Sequence, residues 1–327
     1  MTKAGNSPAP PPTWGGFLKQ VKAGVAKAAL AEGSGATGGY LVPQELATPL
    51  LADVAGRSIV RPFATVVPMG SQTVELPLPD AQTAVTAGYP PYFGGMYPRW
   101  TAEARTRTQV EPAFRQVRLT ACELSGTVYV SNPLLQDAPA LDAFLRQLIA
   151  AAVAWMEDQA FLVGTLAGQP RGMLANSTAV TRSGANAFAA ADAYGMVEKL
   201  LPSSWDTALW VVHPSVAVKL PQLTNWQPNE AGGGKAGPAG KLHGLPLYVS
   251  DKVNALGTAG DVLLVDPALY AVGDRSLEIA VSPDAAFTSN QTVFRVTRRV
   301  AGVPYLAGAV TLADGTKTAN AYVSLTT

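Results

Sequence analysis

Gly33, Gly35 and Gly38, in the stretch GSGATGGYLVP (33–43), stand at the spacing of the G-x-G-x-x-G loop that seats a dinucleotide pyrophosphate. That chemistry works only where the glycines turn a buried strand into a helix, whose free N–H groups and dipole hold the phosphates. Neither flank fits. FLKQVKAGVAKAALAE (17–32) sets Leu18, Val21, Val25 and Leu30 among Lys and Ala, a short amphipathic helix rather than a strand. Downstream, Pro43 pushes Val42 out of the α region, so no helix opens at Gly38. The stretch reads as a flexible connector. A nucleotide-binding enzyme remains as an alternative, for which nucleotide binding abolished by a Gly35 substitution would be required.

Other groups capable of catalysis are sparse. His213 lies between an apolar strand and a proline, and His243 precedes a Gly-Leu-Pro turn; neither has metal-ligand spacing, and both read as polar turn residues. Cys122 is the single cysteine, which excludes an internal disulfide framework and a thiolate zinc cluster. No G-x-S-x-G elbow and no P-loop occurs. Glu157 and Asp158 are adjacent on a helical pattern and face different ways, so a carboxylate dyad is not indicated. A chain of 327 residues with so little ionisable chemistry reads as a non-enzyme, with no cofactor and no metal.

Charge is balanced, 24 basic against 23 acidic side chains, whereas a protein gripping DNA through its phosphates normally shows a basic excess. Lysine is absent from Ala28 to Glu198, where all positive charge is arginine, the residue suited to planar pairing at interfaces; compositional drift accounts for this equally well. Although 48% of the residues are hydrophobic, no stretch reaches the roughly 18 uncharged apolar residues of a membrane span. No apolar segment follows Lys3, so no secretory signal is read.

The elements that must position these residues follow from pattern. Residues 1–39 read as an arm, with a Pro-rich stretch (8–12), the Lys/Ala helix and the glycine connector. Leu46, Leu50, Leu51 and Val54 recur at helical spacing, and SIVRPFATVVPM (58–69) reads as extended chain. SQTVELPLPD (71–80) is a strand with Val74, Leu76 and Leu78 on one face, and FRQVRLTACELSGTVYVSNPLL (114–135) supplies return strands. Between them lie residues rich in Gly, Pro, Tyr and Arg, too many for a structureless insert unless it projects and is ordered by something else. Its Tyr89, Tyr92, Phe93, Tyr97 and Trp100 either meet another protein or fold back on their own domain. DAPALDAFLRQLIAAAVAWMEDQAFLVG (137–164) is the longest predicted helix, capped at Asp137 or Asp142 and stopped by Gly164, with Phe144, Leu148 and Trp155 on its core stripe. From 190 to 290 short helices (AYGMVEKLLPS, PSVAVKLPQ) alternate with strands (TALWVV, PLYVS, DVLLVD, YAVGD, LEIAVS). QTVFRVTRRVAGVPYL (291–306) is a long strand, followed by further strands about a turn.

Several segments carry a family resemblance. GGYLVPQEL, VELPLPD, PRWTAEA, FRQVRLTACELSGTVYVSNPLLQDA, EDQAFLVGTLAGQPRGMLAN and GKLHGLPLYVSDKV are similar, in order, to the major capsid proteins of tailed bacteriophages, from about Gly38 to Val303. The long helix followed by G-x-x-x-G-x-P-x-G-M-L and the G-x-P-x-x-x-S-D turn are its most specific parts. The resemblance implies an α+β chain of the Hong Kong 97-type capsid fold. Residues 1–39 would be the N-terminal arm, jointed at Gly38 and Gly39; 40–69 would begin the peripheral domain, and 70–118 would be the extended β-hairpin loop. Residues 119–189 would continue the peripheral domain with its spine helix (141–163), 190–290 would form the axial domain, and 291–327 would return to the peripheral domain with C-terminal strands.

Such a chain would assemble with itself as hexamers and pentamers into an icosahedral shell, the virion capsid, built in the host cytoplasm. Expected partners are a scaffolding protein, a portal, a maturation protease or decoration proteins, and packaged double-stranded DNA held by weak nonspecific contact, with no membrane. Trp14, Tyr89, Tyr92, Phe93, Tyr97, Trp100, Glu103, Arg105 and Arg107 are the expected inter-subunit contacts. Arg99, Arg105, Arg107, Arg115 and Arg118 outnumber Glu103 and Glu111 on the loop, for pairing with a neighbour's acids or as a solvated face. With about 39 residues before the shell domain and a Met1 start, a separate scaffolding protein is expected. An encapsulin-type nanocompartment shell is the alternative, distinguished by an enzyme cargo in place of nucleic acid. Some family members crosslink covalently through a lysine on the extended loop; residues 70–118 contain none, so assembled particles boiled in detergent should run on a denaturing gel as the single chain.

Overall fold

This computed structural model describes residues 40–41, 58–81, 93–98, 100–103, 106, 109, 111–131, 138–184, 186–223, 225–229 and 238–326. The predicted arm, with Trp14, Gly38 and Gly39, and the predicted helix through Leu46 to Val54 lie outside them. Strands β1 (Tyr40–Leu41), β2 (Thr65–Pro68), β3 (Thr73–Pro79), β4 (Phe114–Thr120) and β5 (Cys122–Ser131) precede helix α1 (Ala138–Val163). Then come β6 (Thr178–Thr181), α2 (Ala190–Glu198), β7 (Leu209–Val212), α3 (Pro214–Ala217), β8 (Trp226–Pro228), β9 (Gly240–Leu242), β10 (Leu245–Val249) and β11 (Val262–Val265). Strands β12 (Tyr270–Ala286), β13 (Gln291–Pro304), β14 (Val310–Thr311), β15 (Thr318–Ala319) and β16 (Tyr322–Thr326) complete the order.

Two units divide the chain. The first comprises residues 1–58, 123–156 and 275–300. Its sheet follows the order β1-β12-β13-β5, and β1 pairs antiparallel with the later part of β12, Tyr40 opposite Val281. Strand β13 obeys the period of two that its sequence shows: Thr292, Phe294, Val296, Arg298 and Val300 are all buried. Helix α1 contributes Val153 and Ala154 to the same interior. It is built of Leu, Ala and other good helix formers, takes Pro139 in its first turn, and ends where Gly164 N–H donates to the Ala160 carbonyl at 2.9 Å.

The second unit comprises residues 59–122, 157–274 and 301–327. It contains a mixed seven-stranded sheet in the order β6-β16-β11-β7-β10-β9-β8. The central strands β7 (LWVV) and β11 (VLLV) are apolar at every position and wholly buried, which only a sheet covered on both faces permits. Around them pack Met196 of α2, Val216 of α3, Leu247, Val323 and Leu325. Asp192 closes the N-terminus of α2: its carboxylate accepts from Ala189 N at 2.9 Å and from Ser183 N at 2.7 Å. The first part of β12 takes β2 alongside it in parallel, and β3 and β4 pair as a separate antiparallel ribbon.

The expected boundaries at 190 and 290 do not coincide with this sheet. Strands β6 and β16, from outside that interval, belong to it, while β12 pairs with β13 in the other sheet. Short apolar strands state that they are buried but not beside what. YAVGD and LEIAVS, expected as two strands, are one strand of 17 residues. SIVRPFATVVPM begins as a turn, with Phe63 N and Ala64 N both donating to Val60 O, and only Thr65–Pro68 is strand. PSVAVKLPQ forms one α-turn and then a 3-10 turn, Leu220–Gln222, because Pro221 removes a donor.

Tyr270 and Tyr322 are fully buried and donate their hydroxyls to Arg171 O (2.8 Å) and Leu269 O. Burial raises both phenol pKa values well above the ordinary 10. The unfolded chain therefore releases these protons first, so stability is intact below about pH 10 and falls as pH rises beyond it. Tyr270→Phe should flatten that alkaline slope and cost about 1–2 kcal/mol at neutral pH, by leaving Arg171 O without its donor; urea unfolding at pH 7 and pH 10.5 measures both.

Candidate functional site

The groups able to do chemistry are committed to structure. His213 caps α3: its Nδ1 accepts from Ser215 N at 3.2 Å and lies 2.8 Å from Ser215 Oγ. His243 occupies a turn at φ 52°, its ring 4.6 Å from that of Tyr194, and burial lowers its pKa. Burial raises the Cys122 thiol, so its reactive thiolate is disfavoured. Among the described residues no group of three or more His, Cys, Asp or Glu could hold a metal ion.

The second unit contains a cluster of buried charge, besides the buried Arg182–Asp261 pair. Glu157 and Asp158 of α1 are 1% and 0% exposed. As expected of adjacent helix positions, they serve different partners. Glu157 Oε2 accepts from Arg61 Nε (3.2 Å) and Nη2 (3.0 Å), while Arg61 Nη1 donates to Asp274 Oδ2 at 2.9 Å. Asp158 accepts from Ile59 N (2.7 Å), Val60 N (3.3 Å) and Lys252 Nζ (2.9 Å). Burial works against the Arg61 charge, but Glu157 and Asp274 outweigh it and hold its pKa above the ordinary value. Arg61, Glu157, Asp158 and Lys252 are buried and Asp274 is partly exposed, so the network acts mainly as an internal anchor. The sequence hid it because Arg61 and Glu157 are 96 residues apart.

Contact surfaces are better developed than chemical ones. In the ribbon, Val74 pairs with Leu119, Leu76 with Val117 and Leu78 with Arg115. That face packs on Met69, Val303 and Tyr305, and Arg115 donates to Tyr305 O. The opposite face, Glu75, Pro77, Pro79, Phe114, Gln116 and Arg118, is solvent-exposed. Beyond the ribbon, Asp80 N donates to Ala113 O (2.9 Å) and Ala113 N to Gly94 O (2.7 Å). This ties down a segment on which Phe93, Met96 and Trp100 are 57%, 56% and 105% exposed, beside Phe114 at 68%. Tyr97, expected among the inter-subunit contacts, is only 7% exposed and folds back into its own chain. Glu103 is exposed; Tyr89, Tyr92, Arg99, Arg105 and Arg107 lie outside the described residues.

Within the first unit, α1, β5 and β13 line an open apolar groove of about 310 Å³, formed by Leu124, Val128, Ile149, Val153 and Val296. Leu148, expected in a closed core, is 46% exposed at this groove, because the apolar stripe opens there. Trp155 is half-buried, and the side chain of Phe144 lies outside the description.

The chain matches the sequence model of the phage capsid family over residues 38–315. It is 29% identical over 144 residues to the major capsid protein of Klebsiella oxytoca phage phiKO2, a match covering 43% of this chain and 31% of that protein's length. In fold it is similar to the capsid of an empty GTA particle, with TM-score 0.61 at 18% identity over 98% of this chain and 99% of that one. It is also similar to a chain of Mycobacterium phage Cain, with TM-score 0.57 at 15% identity over 82% and 90% of the two chains.

Arg61→Met removes the guanidinium from beside the buried Glu157 carboxylate and should destabilise the unassembled chain by about 3–5 kcal/mol. Arg299→Met, which breaks the exposed pair with Glu123 (3.4 Å), should cost less than about 1 kcal/mol. Urea unfolding of the two variants checks the contrast.

Proposed function

Because this chain belongs to the phage capsid family, we propose that it is the repeating subunit of an icosahedral head shell, assembling as hexamers and pentamers around double-stranded DNA. Its role is structural, not enzymatic. The observation that carries the reading is the ribbon with the segment tied to its end: one ribbon face is rooted in its own chain, while Phe114 on the ribbon and Phe93, Met96 and Trp100 beyond it stand in water. Isolated exposed apolar residues are ordinary, but four on one projection mark a contact surface. A projection that meets a different patch on the next copy is a heterologous contact, which closes into rings.

In this reading the ribbon and the residues beyond it are the extended loop, α1 is the spine helix, and the seven-stranded sheet forms the axial part around five- and six-fold axes. Residues 1–39 reach a neighbour as an arm. A scaffolding protein, a portal, a maturation protease or decoration proteins are the further partners. The near-neutral charge of +1 suits a wall that does not trap the genome it encloses.

Negative-stain microscopy and sedimentation of the purified chain, alone and coexpressed with scaffolding candidates, test this directly. Closed shells or five- and six-fold rings are expected, and a monomer under every condition would overturn it. Phe93→Ser with Trp100→Ser should leave the melting temperature of the unassembled chain unchanged while weakening each subunit contact by about 2 kcal/mol or more, read as loss of the fast-sedimenting fraction.

A further inference from the structure

Between α1 and the rest of the second unit lies a tight hairpin, Gly164 to Gly172, whose root and tip differ sharply in character. The root is locked. Gly172 N donates to Gly164 O, Thr165 and Arg171 form an antiparallel bridge, and Arg171 N donates to Gly302 O, both hydrogen bonds at 2.9 Å. Tyr270 holds the Arg171 carbonyl from the other side. The strands cross so closely that a Cβ on Gly164 would fall against the carbonyl oxygens of Pro170 and Ala160, and one on Gly172 would fall against the Gly164 nitrogen. Gly164, Pro170 and Gly172 are buried.

The tip, Thr165-Leu166-Ala167-Gly168, is exposed throughout. Leu166 is in the left-handed region at φ 70°, where a leucine is unfavourable, and its side chain is 55% exposed. Gly168 N donates to the Leu166 carbonyl at 3.0 Å and Gln169 Nε2 to Thr165 Oγ1 at 3.1 Å, which hold the turn but leave the leucine side chain itself in water. Such strain persists where the surroundings impose it, and it gathers at sites that grip something else. The tip carries no charge, so it addresses neither phosphate nor metal; what it offers is one aliphatic side chain at the end of a rigid support.

We propose that Leu166 is a preformed contact to a second copy of this chain, inserted into an apolar surface of the neighbouring subunit. The proposal rests on the capsid reading and adds a point of contact separate from the ribbon. A rigid root makes the docking close to rigid-body, so little ordering entropy opposes it.

The test uses the full chain with Leu166→Gly, Leu166→Asn, and a photo-crosslinking benzophenone amino acid in place of Leu166. Glycine and asparagine accept the backbone geometry, so melting of the unassembled variants should be unchanged or a few degrees higher. The concentration needed for assembly should rise about tenfold or more, and irradiated assemblies should give covalent dimers. Closed shells forming at the wild-type concentration with no dimer, or with crosslinks confined to one chain, would overturn the contact and leave the shell reading intact. Crosslinked rings or tubes that never close would keep the contact and overturn the shell reading. A chain that stays monomeric throughout would overturn both.

Discussion

A guanidinium buried among carboxylates is the constraint on which the second unit depends. Each buried ion costs several kcal/mol unless its partners are all in place, so the Arg61, Glu157 and Asp274 set, with Asp158 and Lys252 beside it, is satisfied as a group or not at all. Its members are far apart in sequence, and the fold of this one unit is what brings them together. Hydrophobic burial alone tolerates small slips, whereas a guanidinium that gives Nε and Nη2 to one Glu157 oxygen and Nη1 to Asp274 sets direction as well as distance.

What was legible in the sequence was periodic. The three-and-four spacing of α1, the alternation of β13 and the one-faced apolar pattern of Val74, Leu76 and Leu78 each reflect a local rule, and local rules can be read without knowing the neighbours. The uninterrupted apolar runs of β7 and β11 were likewise legible as strands, and the structure shows them wholly buried. Partnership was not legible. That β16 joins β6 and β11, or that YAVGD and LEIAVS continue through Arg275 as one strand, depends on hydrogen bonds to distant segments.

The same limit governed the surfaces. Tyr97 and Trp100 come from one aromatic run, and composition treats them alike. The positive φ of Gly94, at 60°, and the bond from Ala113 N to Gly94 O belong to the local path that leaves one buried and the other in water. Leu166 was hidden in a different way: G-x-x-x-G-x-P-x-G was legible as a signature, and only the backbone angle reveals that the variable position between its glycines is strained.

The ribbon has one further property. Pro77 and Pro79 lie at alternate positions of β3, opposite Gln116 and Phe114, and a proline nitrogen can stand in a paired strand only on the side away from its partner. The outward edge of β3 consequently lacks two of the donors that another strand would need. Edge-to-edge strand addition, the least selective form of association and one with no natural stopping point, is thereby disfavoured on that edge of the ribbon. Along that edge the ribbon offers a partner side-chain faces, whose fit depends on geometry, rather than open backbone.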